Sequence, residues 1–197
     1  MKKILNIVLS ALIVFSTITP AFALSDVSTT TKNSTAINFL NQRGVVGGYP
    51  DGTFQPLKTV SRAEMTKILV GATGATPTVE TYKNCFPDVK EEWFAPFVCY
   101  AKEKGWVGGY PDGTFKPGKE VSKVEAIKIL VGAQGLELGN ASEITFDDAD
   151  KAAWYAPYLA TAIKKGLLEA SNGKYGIGEY ISRGEVSENI YRSVIVK

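Results

Sequence analysis

Apolar residues recur along this chain at the three- and four-residue spacing of a buried helical face. One set is Met65, Ile68 and Leu69, the next is Ile127, Leu130 and Val131, and a third is Val186, Ile190 and Val194. Each set follows a serine with a glutamate three positions on: Ser61 and Glu64, Ser122 and Glu125, Ser182 and Glu185. That spacing lets the serine oxygen and the glutamate carboxylate satisfy each other's free backbone N–H groups, so it predicts three capped helix starts. Gly71 and Gly132 are the expected stops of the first two helices. An earlier helix in the middle of the chain places Phe97, Val98 and Ala101 on one face and stops at Gly105. Its Pro96 falls in the first turn if the helix begins near Trp93, where backbone N–H groups lack an internal partner.

The intervening polar segments are repeated too. "GVVGGYPDGTFQPL" (44–57) and "GWVGGYPDGTFKPG" (105–118) carry the same turn chemistry. Proline presets φ, aspartate bonds locally, and glycine accepts a positive φ. Over residues 44–70 and 105–131, 19 of 27 positions are identical without a gap. A third, worn copy starts at Gly166, its loop reduced to "SNGKYGIG" (171–178). Lead-in segments match as well, "FPDVKEEWFAPFVCYAKEKG" (86–105) with "FDDADKAAWYAPYLATAIKKG" (146–166), whereas the first copy offers only "TAINFLNQRG" (35–44). The expected units are 24–82, 83–143 and 144–197, each reading helix, loop, helix. Such a pair cannot bury its apolar faces alone, so the three are expected to share one core. Phe54 and Phe115 should tuck the loops onto that core, and Trp93 and Trp154 should anchor it.

Residues 1–23 change the charge picture. Lys2 and Lys3, an apolar stretch from Ile4 to Ile18 and Ala21-Phe22-Ala23 have the order of a secretory signal peptide, too short to span a membrane. The formal net charge of +2 resides in those two lysines, so the mature chain is neutral and carries no basic stripe for nucleic acid. No transmembrane segment is expected after signal removal. In an exported chain the two cysteines, Cys85 and Cys99, read as a disulfide. The absence of histidine removes Ser-His-Asp and Cys-His catalysis. The paired glycines lack the strand and helix of a dinucleotide fingerprint, and "FDDAD" (146–150) lacks calcium-loop spacing. No metal or cofactor is expected.

The residues after the caps, Arg62, Lys123 and Arg183, are cations at the positive end of a helix dipole, an arrangement unfavourable by about 0.3–1 kcal/mol each when exposed. Three in register point either to an anion site or to a salt bridge with a neighbouring carboxylate. Tyr49 and Tyr110 can pack on a sugar ring. Asp51 and Asp112 can accept sugar hydroxyls or simply hold the turn, and Gly48 and Gly109 line the loops.

"GYPDGTF" followed by "VSRAE", the "FPD…EWFAPF" lead-in and the threefold recurrence closely resemble S-layer homology domains, over nearly all of residues 25–197. The resemblance implies a mainly α fold, three helix-loop-helix repeats in a pseudo-threefold arrangement around a shared helical bundle. It further implies inter-repeat grooves that hold secondary cell wall polysaccharide, with the basic residues meeting acidic, often pyruvylated, sugars. Departures are Lys123 for arginine, Val124 and Gly184 for alanine, and the degraded third loop. Arg62 and Lys123 stand beside intact loops of their own repeats, Arg183 beside the degraded one. The expected function is therefore non-catalytic anchoring at the cell surface through a cell-wall polysaccharide or peptidoglycan-linked glycan. The alternatives are a protein-interaction or self-assembly module binding another envelope protein, and a glycan hydrolase.

Overall fold

The computed structural model describes residues 24–168 and 173–195, so the expected signal peptide lies outside the described residues. The fold is mainly α: α1 Ser34–Gln42, α2 Arg62–Ala72, α3 Ala95–Glu103, α4 Lys123–Ala133, α5 Ala156–Lys164 and α6 Arg183–Ile195, with a 3₁₀ turn at Ala141–Glu143. All three capping boxes form. Ser61 Oγ accepts from the Glu64 N–H while the Ser61 N–H donates to Glu64 Oε2, and the same exchange joins Ser122 to Glu125 and Ser182 to Glu185.

Helix ends differ from the sequence expectation by two residues or so. α3 begins at Ala95, not Trp93, which puts Pro96 at a position whose missing N–H breaks no helical bond; a start at Trp93 would have cost one. Trp93 and Trp154 therefore stand outside their helices and are 61% and 54% exposed, so they do not anchor the core. Gly71 and Gly132 are internal to α2 and α4, and the chain leaves those helices through Gly74 (φ 80°) and Gly135 (φ 61°). Val194 is exposed rather than buried.

Helices that follow each other within a repeat are not the main packing partners. α2 packs on α3, α4 on α5, and α6 returns to α1, so each first helix docks on the second helix of the preceding repeat. α2 also touches α4 and α6. At the centre, the segments before the capped helices exchange backbone hydrogen bonds in a closed ring. Val60 N–H donates to Ile181 O (3.1 Å), Ile181 N–H to Val121 O (2.9 Å), and Val121 N–H to Val60 O (3.0 Å). All three side chains are buried. The shared core expected from the repeat argument is thus stitched by main chain as well as by apolar contact.

Each loop is fixed by a carboxylate from the lead-in segment. Asp88 accepts from the N–H groups of Phe115 and Lys116 at 2.8 Å, and Asp148 from those of Tyr175, Gly176 and Ile177. In the first repeat Asp26 does the same for Phe54 (2.6 Å) and Gln55 (2.7 Å). The first copy thus possesses the start of the lead-in, Leu24-Ser25-Asp26, which the sequence comparison passed over because leucine replaces phenylalanine. A Cβ on Gly48 would lie 2.8 Å from Leu24 Cδ2, and one on Gly109 2.9 Å from Phe86 Cε1, so these glycines admit close packing of the loop on that residue. Phe54 and Phe115 are fully buried, as expected. Cys85 and Cys99 form a disulfide across a 5.4 Å Cα separation, tying the lead-in to α3.

Candidate functional site

The cations at the helix starts reach the loop of the next repeat rather than their own. Arg62 Nε donates to Phe115 O (2.8 Å) and Nη2 to Gly108 O (3.0 Å), with the guanidinium above the Tyr110 and Phe115 rings. Arg183 repeats this on the first loop, Nε to Phe54 O (2.8 Å) and Nη2 to Gly47 O (2.7 Å), above Tyr49 and Phe54. Both arginines are only 8% exposed. Backbone N–H groups at the same helix starts point the same way: Arg62 N–H donates to Lys119 O, Lys123 N–H to Glu179 O and Arg183 N–H to Lys58 O. The pairing by repeat expected from sequence is therefore corrected. Both arginines meet intact loops, and Lys123 meets the worn one. Among the described residues neither arginine bonds a carboxylate; each cation instead finds carbonyl oxygens of the tight loop.

Around Arg62 lies a cavity of about 270 Å³ lined by Trp106, Gly108, Gly109, Tyr110, Glu125, Lys128 and Trp154. Its wall combines a guanidinium oriented by two carbonyls, neither of which uses Nη1, with a second cation and three aromatic rings. Lys128 lies over the Trp154 ring, 5.4 Å from its centroid. The Tyr110 hydroxyl accepts from Lys119 Nζ at 3.0 Å. Sequence reasoning named Arg62, Tyr110 and Gly109 here but not Trp106, Lys128 or Trp154. The exposed position of Lys128 on a capped helix, repeated as Lys67 in α2, was the available signal. By repeat register the counterparts on the Arg183 side are Tyr49, Gly48, Lys67 and Trp93, of which Tyr49 lies under the guanidinium. Burial, and then the nearby Arg183 charge, hold the Lys67 ammonium below the ordinary lysine value. The Tyr49 hydroxyl is buried and has no hydrogen-bond partner among the described residues.

Lys123 is placed differently. Its ammonium pairs with Glu179 Oε2 (2.7 Å) and Glu185 Oε1 (2.9 Å); it lines a small cavity of about 30 Å³ with Lys32, Tyr175, Glu188 and Asn189, and with Glu179, Glu185, Tyr180 and Pro56 it borders a wider one of about 550 Å³, in which the carboxylates already sit on the cation. Burial alone would lower the Lys123 value, but the bonds from Glu179 and Glu185 leave it raised. Asp51 and Asp112 hold the turns: each accepts from the N–H and hydroxyl of the threonine two positions on. Asp112 also pairs with Lys116 at 2.8 Å.

Comparison with known proteins places the same repeats in cell-surface proteins. The chain is 35% identical over 144 residues to the surface layer protein of Brevibacillus choshinensis, covering 70% of this chain and 13% of that protein. It is 29% identical over 133 residues to the cellulosome-anchoring protein of Acetivibrio thermocellus, covering 65% and 29%. A protein named as an uncharacterized cell wall amidase of Bacillus anthracis is 24% identical over 164 residues, covering 82% and 30%. The chain thus spans well under a third of the length of the surface layer protein it matches. The sequence model of the S-layer homology domain matches residues 23–66, 86–127 and 145–187, each interval closing within a capped second helix. With three matched intervals that together cover most of its length, the chain belongs to the S-layer homology domain family.

Proposed function

We propose that this chain is a non-catalytic anchoring module, exported and held at the cell surface by an acidic wall glycan seated between its repeats. The observation that carries the reading is the cavity of about 270 Å³ beside Arg62. Two carbonyls fix the plane of the guanidinium, Lys128 adds charge, and Tyr110, Trp106 and Trp154 give the cavity an aromatic lining, an arrangement suited to an anionic saccharide. By repeat register the Arg183 side has the same residue types except that Val45 stands in the place of Trp106. Family membership supports anchoring, and the names of the surface layer and cellulosome-anchoring relatives agree with it. Among the described residues no helix is long and apolar enough to cross a membrane.

The test is cosedimentation of the mature chain with purified cell-wall sacculi, before and after mild acid removes the attached polymer. Binding lost with the polymer is the expected result. Equal binding to stripped sacculi would assign the ligand to peptidoglycan itself, and no binding to either, with a discrete oligomer in solution, would favour the self-assembly alternative.

A further inference from the structure

We propose that the third groove is occupied by the protein's own carboxylate, Glu179, and that the chain therefore offers two glycan sites rather than three. This rests on the anchoring reading above. Glu179 occupies the position held by Lys58 in the first loop and Lys119 in the second, and Glu188 the position held by Lys67 and Lys128. Each arginine groove thus gathers an arginine and two lysines against one capping glutamate. At the same four positions the third groove holds Lys123 against Glu179, Glu185 and Glu188. Lys32 replaces the tryptophan found there as Trp93 and Trp154, which returns a cation but removes the ring face. Glu188 is already bonded to Arg192 and Asn33, leaving Glu179 and Glu185 on Lys123.

The worn loop leaves room for this pairing. Gly176 stands where the intact loops have Gln55 and Lys116, and a Cβ there would come within 2.6 Å of Glu179 Oε2 and 3.0 Å of Lys123 Nζ. The glycine at φ 89° leaves the space that the ion pair fills. An acidic sugar approaching Lys123 would have to displace a carboxylate that is tethered and already in contact, at an effective concentration no dilute ligand reaches. The lost loop sequence and the cation change from arginine to lysine thus act together: the groove has exchanged an external anion for an internal one.

Two measurements on the mature chain and its Glu179→Ala variant test this. The Glu179 side chain is 66% exposed, and its backbone bonds to Gly176 and Lys123 do not depend on it, so the variant retains the fold. In the first, amide shifts are followed during titration with a methyl glycoside of a pyruvylated hexosamine. In the wild type, Gly47–Tyr49 and Gly108–Tyr110 should shift while Gly176 and Ile177 stay still. In Glu179→Ala the third set should shift as well, with at least fivefold tighter response than wild type. Shifts of Gly176 in the wild type at matching concentration, or a still Gly176 in the variant, would overturn the proposal.

The second uses no glycan: acetylation of Lys123 by an amine-reactive ester, read by mass spectrometry, should quicken severalfold in Glu179→Ala. An unchanged rate would overturn the internal pairing. If no loop responds to the glycoside in either protein, the acidic-glycan reading fails and the two-site count with it, while the acetylation rate separately decides whether Glu179 holds Lys123.

Discussion

Arg183, at the start of the last helix, donates from Nη2 to the carbonyl of Gly47 at 2.7 Å, across 136 positions of sequence. The bond joins the third repeat to the first loop, and the companion bond to Phe54 O lies beside it. Replacing Arg183 by alanine leaves both carbonyls without their donor in a buried setting. Charge-assisted hydrogen bonds contribute ~1.5–3 kcal/mol each, so Arg183→Ala should lower stability by about 3 kcal/mol. Arg183→Lys, which lacks the fork, should retain part of the loss. Urea unfolding followed by circular dichroism measures it, and an unchanged midpoint would show that the loops are held without the guanidinium.

The Cys85–Cys99 disulfide closes a loop with a sequence separation of 14. On the chain-entropy model such a closure contributes about 3 kcal/mol. Reduction, or the Cys85→Ala and Cys99→Ala pair, should therefore lower the unfolding midpoint while the helical signal at low denaturant remains. Exported protein should show no alkylatable thiol without reductant; two free thiols would contradict the bond.

Acid should weaken the third repeat. Burial would raise the Glu185 carboxyl, but its bonds from Lys123 and Ser182 hold it below the ordinary value of 4.5. Asp148 is likewise lowered: burial opposes ionisation, and the N–H groups of Tyr175, Ile177 and Gly176 outweigh it. A carboxylate with a depressed folded value stabilises above its unfolded value, and that contribution disappears as pH falls through the folded value. The melting temperature should decline from about pH 4.5 downward, and Glu185→Gln, which keeps a capping side chain, should flatten the decline. A profile identical in the variant would remove Glu185 as a source.

Tyr49→Phe should raise stability by about 1 kcal/mol, because a buried hydroxyl without a partner carries a desolvation cost of ~1–3 kcal/mol. Tyr110→Phe, whose hydroxyl accepts from Lys119, should not show the gain. Thermal denaturation of the two variants side by side decides it. A loss of stability in Tyr49→Phe would mean that the hydroxyl has a partner in solution.

The helices were legible because their signals are local: a serine, a glutamate three residues on and an apolar face lie within one helix. The loops were legible for the same reason, as Asp51 and Asp112 bond within two residues. The candidate site was not, since its pieces come from different repeats. Arg62 stands in sequence beside its own Gly-Tyr-Pro-Asp-Gly loop, yet its carbonyl partners are 46 and 53 residues away. A cation at a helix start pointed to an anion site or a salt bridge, and nothing in the local sequence showed that it also carries two hydrogen bonds to loop carbonyls. Asp26 escaped notice because pattern matching weighs the phenylalanine of the lead-in, while the physical work belongs to the carboxylate. Trp93 and Trp154 were expected in the core on apolarity alone, whereas both stand just before their helices, each of which carries its own proline in the first turn, and both are exposed.

The backbone ring through Val60, Ile181 and Val121 also sets how many copies the chain can use. In an open stack of repeats the end units keep an unpaired face, so a further unit can be added and the ends need special capping. Here α6 packs on α1, and every donor in the ring already has its acceptor, so no face is left for a fourth unit. Duplication of a repeat within this chain would not lengthen the assembly but would leave one copy without a seat. An open stack has a length; this arrangement has a number.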